Sequence, residues 1–165
     1  MCLSCQRRRA LYQWPEHSVR WGHEPRSAIK AGRGKLIIRK LREILETKRD
    51  VSGPGWNSRR LLLAGDGMGF SLTDTLIHAG AELELEYAHH LEACYCIAGE
   101  GQIRAICEAN WHRIEPFTLY ALDQHDRHIV RATTSDLRLV CVFNPPLSGQ
   151  EVHRADASYA PSGEA

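Results

Sequence analysis

The side chains best suited to chemistry are concentrated between Tyr87 and His128. This stretch carries a carboxylate, a phenol and several imidazoles: His89, His90, Glu92, Tyr120, His125 and His128. Such groups can bind a divalent cation or transfer protons. Each also has a plainer explanation when taken alone, because His128 is more often a structural residue and His125 an exposed loop residue. Their joint pattern predicts a metal centre.

Short β-strands are predicted to position these side chains. After Trp56, short apolar runs alternate with turn residues, which is typical of antiparallel strands. Nine strands are predicted, at residues 60–64, 69–78, 82–87, 92–98, 102–107, 111–115, 118–122, 128–132 and 137–143.

Alternate residues of a strand share one face. Three such faces mix polar and apolar side chains: Thr73, Thr75 and Ile77; Thr118, Tyr120 and Leu122; and Leu139, Cys141 and Phe143. Mixed faces of this kind suit the wall of a small ligand cavity, although ordinary interior positions would look the same.

The region before Trp56 has a different organisation. Residues 1–35 show no sustained period and are predicted to be a poorly ordered extension, which leaves residues 36–160 as the folded domain. Apolar residues from Ile37 to Leu45 recur at helical spacing, and the segment from Val51 to Gly55 is expected to end that helix. The predicted fold class is therefore all-β, a single antiparallel barrel with one short N-terminal helix.

The overall composition limits the kind of partner. The chain has 165 residues and a net charge of +1, which provides no strong field for nucleic acid or an anionic membrane. Apolar runs are too short to span a bilayer, and the first residues lack the apolar core of a secretory signal. We therefore expect a cytoplasmic protein that binds a small molecule.

The glycine spacing around Glu92 resembles the first motif of the cupin superfamily. Eleven residues separate Gly80 from Glu92, and six separate Glu92 from Gly99. A second block follows with Pro116, Tyr120, His125 and His128. In cupins, a carboxylate from the first motif and a histidine from the second bind a divalent metal inside a barrel.

The two histidine positions of the usual first motif hold Glu86 and Ala88 here. A metal site must therefore recruit another ligand, and Tyr120 is well placed because its strand leads into the loop that bears His128. A carboxylate, a phenolate and an imidazole suit Fe(II), with Zn(II) or Mn(II) as alternatives.

Three longer runs make the resemblance specific: YAHHLEACYCIAGEGQI, LYALDQHDRHIVRA and LRLVCVFNPPLSGQEVH. Together with GWNSRRLLL, they resemble the ectoine synthase family over roughly Leu36 to Tyr159. This family closes N-γ-acetyl-L-2,4-diaminobutyrate into a cyclic amidine with loss of water. The resemblance implies a cupin-type barrel, a carbon–oxygen hydro-lyase activity and a role in osmoadaptation. Because cupin barrels often pair through sheet edges, we also expect a homodimer.

The resemblance also implies residue roles. It assigns Glu92, Tyr120 and His128 as iron ligands. It places the following residues around the substrate: Trp56, Arg60, Thr75, Cys141, Phe143, Glu151 and His153. Of these Cys141 and Glu151 are expected to act in catalysis with Tyr87, while His90 and Asp126 have supporting roles. Arg60 is suited to a two-point contact with the substrate carboxylate, and Glu151 to accepting the ammonium proton.

Two departures from the family pattern leave alternatives open. Glu86 stands where the family usually has histidine, and Phe117 follows Pro116 where it usually has glycine. Since Phe resists a positive φ, the turn before Tyr120 is expected to be rebuilt. A drifted cupin that acts on a related N-acyl diamino acid, or a non-catalytic cupin that binds a solute, would be compatible with such departures.

Overall fold

Two antiparallel sheets form the framework of the protein. The computed structural model describes residues 36–149 and Glu151. In this part of the chain the strands are β1 (Asp50–Gly53), β2 (Trp56–Leu62), β3 (Ser71–Ile77), β4 (Glu82–Leu85), β5 (Leu91–Ala98), β6 (Gly101–Ala105), β7 (His112–Ile114), β8 (Leu119–Leu122), β9 (His128–Ala132) and β10 (Leu137–Asn144). The larger sheet has the order β1-β2-β3-β10-β5-β8, and the smaller β4-β9-β6-β7. The predicted all-β class is confirmed.

The predicted N-terminal helix is shorter than its apolar period suggested. Only a 3₁₀ turn forms, at Leu41–Glu43. Ile44 is buried, but Leu45 is exposed, and Glu46 takes a positive φ that ends the turn. The apolar residues at helical spacing therefore do not form the buried face of a helix.

The segment expected to end that helix is instead the turn of a hairpin. β1 and β2 pair from Asp50 opposite Arg59 to Gly53 opposite Trp56, which leaves Pro54 and Gly55 as a two-residue turn. β2 consequently begins four residues earlier than predicted. This extension matters because it brings Trp56 and Ser58 onto the inner face of the larger sheet.

Strand alternation sets the core. β10 buries Leu137, Leu139, Cys141 and Phe143, while the residues between them lie on the outer face. The same alternation on the other strands produces one continuous apolar cluster between the sheets. On the outer face, Asp74 of β3 accepts hydrogen bonds from Arg59 and Arg138. These ion pairs connect three adjacent strands of the larger sheet.

The turn before Tyr120 is kept, contrary to expectation. Phe117 adopts a φ of 75°, and the Thr118 amide donates to the Glu115 carbonyl at 3.0 Å. The Phe117 amide also donates to the Cys96 carbonyl of β5, so the sheet holds the turn in place. Phe117 therefore accepts a strained backbone with an exposed side chain, and Tyr120 remains on the inner face.

The described residues from Arg39 onward belong to one compact unit. The predicted extension at residues 1–35 lies outside the described residues, as does most of the segment after Gly149. Among the residues described, we find no helix long and apolar enough to cross a membrane.

Candidate metal centre and substrate cavity

A cavity opens between the two sheets. Its walls are formed by Trp56, Ser58, Thr75, Ile77, Leu83, Leu85, Tyr87, Glu92, Tyr120, Val130, Leu139, Cys141 and Phe143. Seven of the residues predicted for the site therefore line one cavity: Trp56, Thr75, Tyr87, Glu92, Tyr120, Cys141 and Phe143.

Glu92 and His128 approach each other from opposite sheets. Glu92 lies on β5 and His128 on β9, and their Oε2 and Nε2 atoms are 3.9 Å apart. Both atoms are buried, and neither has a hydrogen-bond partner in the described structure. Because an unsatisfied buried polar atom is costly, two such atoms facing each other indicate a site built for a cation.

The proton positions on His128 favour this use. Its Nδ1 donates to the Asp126 carbonyl at 2.9 Å, since a carbonyl oxygen only accepts. In the neutral ring Nε2 then carries the free lone pair. Burial lowers the pKa of His128, which favours the neutral ring. Such a backbone contact also fixes the orientation of a ligating imidazole.

Burial strongly affects the acidic groups beside His128. It raises the pKa of Glu92 from 4.5 to about 7, opposed by a hydrogen bond from Cys94. Burial also raises the pKa of Tyr120, and the neighbouring Cys94 and Glu92 raise it further. A bound cation would reverse these directions by favouring the charged forms.

Cross-strand register determines which side chains become neighbours at the site. Cys94 of β5 pairs directly with Cys141 of β10 on one side and with Tyr120 of β8 on the other. Glu92 lies in the next inward row, opposite Phe143. Potential ligand atoms of Glu92, Cys94 and Cys141 all lie within 4.8 Å of one another.

An aromatic wall borders the metal-binding side chains. The rings of Tyr87 and Phe143 meet edge to face, with centroids 5.2 Å apart. Tyr87 also contacts the His128 ring at 6.3 Å. On the far side of Phe143, the His90 ring lies at 6.4 Å and its Nδ1 donates to the Pro145 carbonyl at 2.8 Å. His90 thus packs against Phe143 and helps to hold the aromatic wall in place.

Arg60 and Glu151 are buried but do not line the cavity. The Arg60 guanidinium donates to the backbone carbonyls of Gly149 and Glu151. The Glu151 carboxylate accepts from the amides of Ser148 and Gly149, at 2.5 and 2.8 Å. Burial raises its pKa, but these hydrogen bonds outweigh burial and the net shift is downward. Both residues hold the C-terminal segment in this structure. His153 lies outside the described residues.

The donor set fits a divalent metal. Glu92 and His128 present unpartnered buried donor atoms, and Tyr120 lines the same cavity within hydrogen-bonding reach of Cys94. Oxygen and imidazole donors accept several first-row metals.

Several wall residues were missed by sequence reasoning. Leu83 and Leu85 alternate on predicted strand β4, and Cys94 lies two residues from Glu92, so alternation would have placed each on a shared face. Val130 lies two residues from His128 on the predicted strand 128–132, so the same alternation would have placed it. Ser58 gave no comparable signal, because the start of β2 was placed too late.

This chain is similar to known proteins over most of its length. A family model described as ectoine synthase matches residues 36–163. The L-ectoine synthase of Desulfosudis oleivorans is 54% identical over 124 residues, which cover 75% of this chain and 96% of that protein. The L-ectoine synthase of Alkalilimnicola ehrlichii is 52% identical, with coverages of 75% and 94%.

Two solved structures are similar to this chain, one in sequence and fold and one in fold alone. A crystal structure of ectoine synthase from P. lautus is 54% identical and superposes with a TM-score of 0.68, covering 72% of this chain and 84% of that one. The cupin domain of Schizosaccharomyces pombe Cnp3, at 12% identity and a TM-score of 0.53, shares the fold alone and covers 67% and 74%. The fold is thus of the cupin type, and the family match over residues 36–163 shows that the chain belongs to the ectoine synthase family.

Proposed function

We propose that this chain closes N-γ-acetyl-L-2,4-diaminobutyrate to ectoine with loss of water, as a carbon–oxygen hydro-lyase of compatible-solute synthesis. The observation that carries this proposal is that Glu92 and Tyr120 line one cavity while His128 Nε2 lies 3.9 Å from Glu92 Oε2, in a chain of this family. The cavity is small and partly apolar, which suits a compact amino-acid derivative.

The metal would be held by Glu92, Tyr120 and His128. We propose Fe(II), with Zn(II) and Mn(II) as alternatives that the same oxygen and nitrogen donors accept. When bound, such an ion supplies Lewis acidity to the substrate acetamide, which is otherwise a poor electrophile.

The cavity walls would hold the substrate in position and exclude water. The α-nitrogen of the substrate must attack its own acetyl carbon, so the chain has to be held curled in near-attack contact. Trp56 and Phe143 provide apolar surfaces that exclude water, and the Thr75 hydroxyl, which shares a hydrogen bond with Thr73, lies on the same wall. These groups favour the cyclic arrangement over hydrolysis.

The reaction also requires proton transfers. The new C–N bond forms from the α-nitrogen lone pair, and the acetyl oxygen leaves as water with two protons taken from the nitrogen atoms. We assign Tyr87 and Cys141 to these transfers because their side chains line the cavity.

Arg60 and Glu151 have a positioning role in the proposal. Their contacts with each other and with Ser148 and Gly149 fold the C-terminal segment next to β2. A direct contact of Arg60 with the substrate carboxylate, or of Glu151 and His153 with the rest of the substrate, remains a prediction. It would require the Arg60 guanidinium to exchange a backbone carbonyl for the carboxylate.

We further propose a cytoplasmic homodimer that acts in osmoadaptation. An exposed apolar patch supports the dimer. Tyr95 and Leu119, which pair across β5 and β8, are 40% and 64% exposed, and Leu91 at the start of β5 is 43% exposed. β8 is an edge strand of the larger sheet. Exposed apolar groups at a sheet edge are typical of association surfaces.

The test is direct. Purified protein is stripped with a chelator, reloaded anaerobically with Fe(II), Zn(II) or Mn(II), and incubated with the acetylated diaminobutyrate, with ectoine measured by NMR. We expect product with Fe(II). Tyr120→Phe should weaken metal binding by at least about tenfold, whereas Tyr95→Phe, the same change on an exposed face, should not. The absence of cyclic product with every metal, or faster turnover of a longer acylated diamino acid, would overturn the proposal.

A further inference from the structure

A thiol lies among the donors of the metal centre. Cys94 is fully buried on β5, two residues after Glu92 and on the same inner face. Its Sγ donates to Glu92 Oε1 at 3.3 Å. It is also within hydrogen-bonding reach of Tyr120 and Cys141, its cross-strand neighbours. Cys94 thus stands at the centre of the cluster.

The separation of the Cys94 thiol from the Glu92 carboxylate suits a shared cation. Bonds of about 2.3 Å to sulfur and about 2.1 Å to oxygen, at a tetrahedral angle, hold the two donor atoms about 3.6 Å apart. The observed separation of Cys94 Sγ from Glu92 Oε1 is 3.3 Å. The other oxygen of Glu92 is 3.9 Å from His128 Nε2, which two bonds of about 2.0–2.1 Å span only at an angle wider than tetrahedral, and His128 lies outside the 4.8 Å cluster of Glu92, Cys94 and Cys141.

Two buried atoms indicate independently that this cluster is built for a ligand. Glu92 Oε2 and His128 Nε2 have no hydrogen-bond partner in the described structure, and both side chains are at least nine-tenths buried. Cys94 faces this pair from the same strand as Glu92. Cys141 belongs to the same 4.8 Å cluster and lines the cavity wall, so it is the rival thiol ligand.

We propose that Cys94 is a metal ligand of this protein, adding a thiolate to the carboxylate, phenolate and imidazole of the proposed centre. The inference rests on the proposed metal centre and extends it. The metal displaces one proton from Sγ to solvent when it binds, and no oxidation or reduction is involved. A coordinated thiol is deprotonated by the ion itself.

A thiolate changes which metals the site prefers. Sulfur donors favour Zn(II), Fe(II) and Co(II) over Mn(II), which favours oxygen ligands. The cavity should therefore discriminate against Mn(II) more strongly than a centre with oxygen and nitrogen donors alone.

Cobalt(II) tests the proposal, because thiolate ligation produces an intense near-ultraviolet charge-transfer band. Chelator-stripped full-length protein is titrated with Co(II) under argon and followed by absorption. We expect the band in the wild type and its loss in Cys94→Val. Cys96→Val is the matched control, since Cys96 is on the same strand and face and is equally buried, at 0% exposure, yet lies outside the cluster. It should keep the band.

Affinity gives a second readout. Removal of an outer-sphere partner already weakens metal binding by about 10- to 100-fold, so Cys94→Val should weaken Zn(II) binding at least tenfold. Mn(II) affinity should change by less, so the ratio of the two dissociation constants should shift towards Mn(II). Thermal unfolding of the stripped variants checks that each is folded.

The outcomes separate this inference from the proposed function. Ligand-field bands without a charge-transfer band in the wild type would overturn Cys94 ligation and leave the metal centre standing. A band that survives in Cys94→Val but disappears in Cys141→Ala would transfer the role to Cys141 and overturn the inference. If the wild type binds no Co(II) or Zn(II), both the inference and the metal centre fail.

Discussion

Glu92→Gln should make the metal-free protein more stable while removing its response to metal. Burial raises the pKa of Glu92 from 4.5 to about 7. Between these pH values the folded protein retains a proton that the unfolded chain has released. Stability therefore falls as pH rises from about 4.5 to about 7 and is constant above that. At 1.36 kcal/mol per pH unit, the ionised carboxylate costs the metal-free fold about 3 kcal/mol.

Glutamine removes this cost because it carries no charge, and its amide can approach His128 Nε2, which lies 3.9 Å from the present oxygen. Urea unfolding in excess chelator measures the difference. We expect Glu92→Gln to exceed the wild type by less than about 1 kcal/mol at pH 5 and by about 3 kcal/mol at pH 8. Glu46→Gln, the same change at an exposed residue, should show no such pH dependence.

Metal should nearly cancel the difference at pH 8 and reverse the order at pH 5. Saturation of the wild type at a hundred times the dissociation constant adds about 2.7 kcal/mol, whereas the variant should gain little. The reasoning would be refuted if Glu92→Gln were less stable than the wild type at both pH values in chelator. It would also be refuted if metal stabilised both proteins equally, because Glu92 would then not be a ligand.

Three further outcomes are expected. Gly80→Ala, at a φ of 77° with open space around its Cβ position, should cost about 1 kcal/mol in thermal unfolding. Gly99→Ala should cost clearly more, because its Cβ would lie 1.9 Å from a backbone carbonyl. The pKa of Asp66 is lowered from 3.8 to about 2, chiefly by hydrogen bonds from Arg39. Its stabilisation is therefore complete above about pH 4 and lost towards pH 2, so Asp66→Asn should cost about 2 kcal/mol at pH 7 in urea unfolding and much less at pH 2. Leu119→Asp should shift the proposed dimer to monomer in sedimentation equilibrium, and an unchanged dimer would exclude the β5–β8 patch as the interface.

The sequence predicts the site best where a local pattern determines it. Strand alternation placed Thr75 on one mixed strand face and Cys141 with Phe143 on another, and the glycine spacing pointed to Glu92; all four side chains line the cavity. The turn at Phe117 was wrongly expected to be rebuilt. The sequence does not show that the Cys96 carbonyl of β5 accepts a hydrogen bond from the Phe117 amide. A long-range hydrogen bond outweighed a local backbone preference.

Arg60 shows a second limit of prediction from sequence, which concerns the partner that a residue contacts. As a residue type it suits a substrate carboxylate, and nothing around it in the sequence suggests otherwise. Its structural partners, Gly149 and Glu151, are about 90 residues away in the chain. A residue's type indicates what it can bind, but the fold determines which partner occupies it.

Cys94 shows both limits of prediction from sequence, because its face follows from the local pattern but its neighbours do not. Its alternation with Glu92 places it on the inner face, yet a buried cysteine on a strand is ordinary core. What distinguishes it is the order β10-β5-β8, which joins strands that are not consecutive in the chain. That order places Cys94 between Cys141 and Tyr120. Since the period of a strand fixes only the face, and the pairing of distant strands fixes the neighbours, a donor of this kind is found from the register and not from the sequence pattern.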